Sequence, residues 1–150
     1  MITLKLLLWV FMLAACYSMV EVQVEGKDGW AKKLPTFRLN IFITKLLIGK
    51  PLTGYHIFML ATFVTVFHGV YIFMPWSKFV EAQVWGWLFI YFILEDFLWF
   101  VFNKHYGIKK FKEGKIPWHK RWLWKLPLSY WTFGIVGIGL LYYGIQGGIV

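Results

Sequence analysis

The chain has one cysteine, Cys16, so no internal disulfide can staple it and no multi-cysteine zinc or iron–sulfur site can form. Charge is scarce as well: 15% of residues are charged, and only 7 are acidic against 16 basic. So little charge cannot cover a soluble domain of 150 residues of which 59% are hydrophobic and 22% aromatic. Internal repeats, low-complexity segments and nucleic-acid recognition motifs are all missing. Without such a motif, the net charge of +9 does not point to nucleic acid. It is read instead as a signal of orientation in a membrane and of attraction to anionic headgroups.

What the chain does have is long apolar runs. They predict spans over about residues 2–20, 55–74, 82–103 and 127–145, each near the length that crosses a bilayer. The apolar stretch 39–48, with Lys45 and Lys50 near its end, is too short to cross and is expected to form an interfacial or re-entrant helix. Pro51 and Gly54 break the chain after it. The fold class expected is therefore an all-α integral membrane protein: one domain, four transmembrane helices and a short interfacial helix. Leu13-Ala14-Ala15-Cys16 has the form of a lipoprotein cleavage box, but the basic segment that follows argues for an uncleaved first helix. Gly134, Gly137, Gly139 and Gly144 give the fourth span small faces, and Gly134, Gly137 and Gly144 could receive a partner helix. Every Lys and Arg except Lys5 and Lys78 falls in the two long connections, after the first and third spans. That bias puts both loops in the cytoplasm and both termini outside, in the cell's inner membrane.

Chemistry is expected around Glu95 and Asp96, which lie inside an apolar run from Val84 to Phe102. A central Asp costs about 2.5–3.5 kcal/mol on insertion scales, so such acids are expected to have a partner or a task. Asp96 lies on the order of 10 Å below the loop-side edge, as does Thr62 on the antiparallel second span. Tyr55, Thr62 and Gly69 recur every seven residues with Thr65 beside them, a polar stripe that could face the acids; Asn103 shares a face with Asp96. Consecutive residues point about 100° apart, so the two acids need not chelate one ion. Arg38, Lys45 and Lys104 are candidate countercharges. His56, His105 and His119 fall near the same edge and could complete a His/carboxylate site for a divalent metal with Glu95 and Asp96. Their spacing matches no metal signature, and solvated interfacial histidines are the alternative. His68 alone lies deep, so a bis-histidine haem is not expected.

The run Glu95-Asp96-Phe97-Leu98-Trp99-Phe100 resembles the acidic pair and aromatics of the small membrane lycopene cyclases of bacteria, archaea and fungi. The likeness covers six residues, with Ile93 where that family has proline. It implies acids that assist proton-driven cyclisation of an isoprenoid chain. Three readings follow. One is a membrane enzyme, metal-dependent or acid/base, acting on a lipid or isoprenoid substrate through Glu95 and Asp96. The others are a non-enzymatic accessory subunit, and a proton or ion pathway for which His68 and Glu81 would be the far-side groups.

Overall fold

The computed structural model describes residues 2–42 and 50–147. Four helices carry it: α1 (Ile2–Glu25), α2 (Gly54–His68, continued by a 3-10 turn Gly69–Ile72), α3 (Lys78–Phe102) and α4 (Leu128–Ile145). All four are long and apolar enough to cross a membrane, over Leu4–Glu25, Gly54–Ile72, Lys78–Phe102 and Leu128–Ile145. The only strands among the described residues are two short antiparallel bridges, Arg38–Leu39 with Leu52–Thr53 and Trp122–Leu123 with Leu126–Pro127. The helix expected over 39–48 falls largely outside the described residues, as does Lys45. Its first residue, Leu39, pairs with Leu52 in the first bridge.

Local signals explain where the helices begin and end. Thr53 caps α2 and Ser77 caps α3, each side-chain hydroxyl accepting from backbone N–H groups of the first turn. At the end of α1, Gly26 takes φ +60° and its N–H donates to Val22 O at 3.0 Å, the left-handed stop that glycine allows. The helix thus ends five residues after Val20, where the apolar run ends. Glu21 and Glu25, expected in a loop, are therefore the last turns of α1.

Helix α3 is central, packed on α1 along one side and α4 along the other, with α2 touching it less extensively. On the α1 side, Val10 and Ala14 meet Leu88 and Tyr91, and α2 adds Phe63 and Phe67. The face α2 presents is thus its phenylalanine pair, four residues apart. Thr62 and Thr65 are exposed and return their hydroxyls to their own helix, at Phe58 O and Ala61 O. The threonine stripe does not face the acids, because burying two phenylalanines removes more apolar surface from water than burying two threonines.

On the α4 side the backbones nearly touch. A Cβ on Gly86 would lie 2.7 Å from Leu141 Cγ and 3.0 Å from Gly137 O, and one on Gly144 would lie 2.4 Å from Gln83 Cγ. Gln83 Nε2 also donates to Gly144 O at 3.0 Å. The glycine face of the last helix is closed by α3 of the same chain at Gly137 and Gly144, while Gly134 meets only Ile93, 3.8 Å away. Gly86→Leu is expected to cost about 1–3 kcal/mol by overpacking. Gly139→Ala, which has nothing within 4 Å of its added Cβ, should change stability by less than about 0.5 kcal/mol. Thermal unfolding in detergent checks both, and equal midpoints for the two variants would refute the close α3–α4 crossing.

The two long connections meet at one end of the bundle. Trp118 packs beneath Gly29, whose added Cβ would strike its ring at 2.4 Å, and Asn103 Nδ2 donates to Gly26 O at 2.7 Å. Lys50 Nζ lies 5.0 Å over the Trp118 ring. Burial and the neighbouring Lys32 pull that ammonium below the ordinary lysine range. These contacts floor the candidate site.

Candidate functional site

Four of the chain's seven acids, Glu21, Glu25, Glu95 and Asp96, gather at the loop end of the bundle. Glu21 and Glu25 lie one turn apart on α1, so both point to the same side. That side faces α3; Glu21 is 6% exposed, and Glu95 on α3 is 5% exposed. The Glu21 carboxyl is the neighbour of Glu95, yet Glu95 Oε1 makes no hydrogen bond. Two buried like charges repel, and the repulsion is relieved by a shared proton or by a cation. Among the described residues no Lys or Arg forms an ion pair with any of the four acids; the nitrogen groups that approach are the imidazoles of His56 and His119. Arg38, a candidate countercharge, spends its guanidinium on the carbonyls of Ala31, Lys32 and Thr36, and Lys104 is exposed.

The tightest group is Glu21, Glu25 and His56, whose ligand atoms all lie within 4.8 Å of one another. His56 is held on two sides. Its Nδ1 is 2.6 Å from Thr53 Oγ1, and its ring stacks on Trp30 with centroids 4.2 Å apart and planes at 26°. Trp30 is fixed in turn by its Nε1–H, which donates to Pro51 O at 3.0 Å. With Nδ1 engaged, Nε2 faces Glu25 Oε1 at 3.8 Å, too far for a hydrogen bond. Two ligand atoms each about 2.0–2.2 Å from a zinc-sized ion stand roughly that far apart.

Glu25 is oriented by an unusual piece of backbone. Gly29, Trp30 and Ala31 all take positive φ, at 61°, 51° and 49°. Left-handed conformations at Trp and Ala are sparsely populated and persist only when the surroundings impose them. Here they aim two successive N–H groups at one carboxylate: Trp30 N donates to Glu25 Oε2 at 3.0 Å and Ala31 N to Oε1 at 2.5 Å. Both oxygens keep a lone pair for another partner. The Glu25 side chain is 5% exposed and that of His56 12%.

Asp96 belongs to a second, satisfied group. Its Oδ2 accepts from His119 Nε2 at 2.9 Å and from the Tyr130 hydroxyl. His119 sits among the rings of Phe100, Trp122 and Tyr130, and its carbonyl accepts from Trp122 Nε1 at 2.7 Å. Glu95 and Asp96 therefore face different helices, α1 and α4, as their adjacency on α3 requires. The five expected metal ligands are divided: His56 joins the α1 acids, His119 joins Asp96, and Glu95 borders Glu21. His105 stands apart. It is exposed, and its polar contacts are made by its backbone, with Asn103 Oδ1 and Lys110 Nζ. Asn103, expected beside the acids, instead ties the two loops together.

Glu21 and Glu25 are the residues that sequence reasoning missed. The alternation in Val20-Glu21-Val22-Gln23-Val24-Glu25 hides their helical spacing. The available signal was the continuation of the face Val10, Ala14, Ser18, which reaches Glu21 and Glu25 in steps of three and four and stops at Gly26.

Because Asp96, His119 and Tyr130 share one carboxylate oxygen, their contributions should not add. A double-mutant cycle between His119→Ala and Tyr130→Phe is expected to give a coupling of about 0.5–3 kcal/mol in unfolding free energy. A cycle that closes to zero would refute the shared contact. Comparison with known proteins adds nothing to this geometry: no family model matches the chain, and no match is found among curated proteins or solved structures.

Proposed function

We propose that this chain is an integral membrane enzyme that holds a divalent transition-metal ion between Glu21, Glu25 and His56 and acts on a lipid-like substrate. One observation carries the reading: two carboxylates and an imidazole converge in a buried site that no Lys or Arg neutralises among the described residues. A mixed nitrogen and oxygen ligand set suits zinc, iron or manganese better than calcium or magnesium, which take oxygen ligands. Thr53 supplies the outer support that ligating histidines commonly have, fixing Nδ1 so that Nε2 faces the ion. Glu95 adds the reactive element. It borders the ligand Glu21 and keeps an oxygen without a hydrogen bond, so it can exchange a proton with a metal-bound water or a substrate. Asp96 and His119 form a supporting pair behind it. An accessory subunit would need a docking face other than the glycine face, which α3 covers.

The membrane assignment is supported by the four apolar helices and by large side chains left exposed along them, such as Phe58, Ile72, Ile135 and Tyr142. The distribution of Lys and Arg supports loops in the cytoplasm and termini outside the inner membrane.

Elemental analysis of the detergent-purified chain is expected to find about one transition-metal ion per molecule, the coordination number of such a site being met by these residues plus water. Glu25→Gln and His56→Ala should lose it, His105→Ala should keep it, and Thr53→Val should weaken binding about 10–100-fold. Wild-type protein without stoichiometric metal, after growth with zinc, iron and manganese each in turn, would sink the reading. For sidedness, a cysteine placed at Lys115 in a Cys16→Ser background should react with an impermeant maleimide only after the cells are opened. Labelling of intact cells would reverse the topology.

A further inference from the structure

A cavity of about 530 Å³ opens between α1 and α2, beside the acids. Its walls are Val24, Phe58 and Met59, and residues 34–36 of the first loop lie over its top. Its inner side is formed by Tyr17 and Tyr55, whose hydroxyls neighbour each other and the carboxyl of Glu21. The Tyr55 hydroxyl is buried and makes no hydrogen bond. The volume lies in the range of small-molecule sites, about 300–1,000 Å³. Phe58 and Val24 are exposed, 65% and 40%, so the opening looks outward from the helix pair, where the bilayer would be.

Charge identifies the occupant. The loop over the cavity carries Lys27, Lys32, Lys33 and Arg38, with Asp28 as its only acid. Asp28 is matched by Lys33 at 2.7 Å, leaving the loop positive. The loop that supplies Leu34, Pro35 and Thr36 to the cavity is thus net positive, next to walls that are mostly apolar. Tyr55 stands one residue into α2, at the loop end of that span.

We propose that the cavity is the substrate site of the metal centre, and that it takes a membrane lipid with an anionic phosphate head. The head lies at the basic loop and the chain runs down between Phe58 and Met59. The junction of head and chain then faces Tyr55, with Glu21 behind it. The role as substrate rests on the metal-centre reading, whereas occupation by lipid does not.

Native mass spectrometry of the full chain, exchanged between phosphatidylglycerol and phosphatidylcholine nanodiscs, tests both parts. Phosphatidylglycerol is expected to be retained at about one per chain and to outcompete phosphatidylcholine by about tenfold. Thr62→Trp, an exposed position lining the cavity, should abolish retention while leaving metal content unchanged. The double variant Lys27→Glu/Lys32→Glu, at two exposed positions, should erase the preference for the anionic lipid. Equal retention of both lipids by wild type, or undiminished retention and preference in both variants, would overturn the proposal and leave the metal reading standing. Selective lipid retention by a chain that binds no metal would overturn the substrate assignment.

Discussion

Four carboxylates inside an apolar bundle must each find hydrogen bonds or positive charge, and the loop end of this protein is organised by how they do so. Asp96 is satisfied by His119 and Tyr130, which draws the second loop and α4 onto α3. Glu25 is satisfied by the amides of Trp30 and Ala31, which draws the first loop back over the end of α1. Glu21 and Glu95 are the remainder, two acids set against each other with an orphan oxygen between them. The same end offers His56 in a fixed orientation.

The opposite end holds an acid in a different setting. Glu81 accepts from Tyr71 and Trp85 at 2.7 Å and faces His68 Nε2 at 3.2 Å, so both of its oxygens are used. It ties the turn after α2 to the start of α3, with a donor on each oxygen. The contrast with Glu95 comes from donors. Trp85 follows Glu81 by one helical turn, and Tyr71 and His68 reach it from α2, whereas the residues packed around Glu95 are acids and rings.

The spans were legible because an apolar run long enough to cross a bilayer is hard to mistake, and the structure has helices at all four. The divergence of Asp96 from Glu95 followed from helical geometry alone. The polar stripe on α2 shows the limit. Heptad spacing correctly places Thr62 on one face with Tyr55, but only packing decides which face turns inward, and Phe63 with Phe67 takes that role. The group of Glu21, Glu25 and His56 was harder to read, for a different reason. Glu21 and Glu25 sit past the apolar run, and their partner His56 comes from beyond a loop whose shape depends on left-handed Trp30 and Ala31. No propensity favours that conformation at those residues; the carboxylate of Glu25 and the Pro51 carbonyl hold it.

That left-handed turn limits how this end of the molecule can vary. Glu25 has one length of side chain with which to meet two amides on one side and His56 on the other. Aspartate keeps the charge and loses a methylene, so it can reach the amides or the imidazole but not both. Here a substitution usually counted as mild divides one residue's two tasks, and the loop's shape and the site's geometry are inherited together.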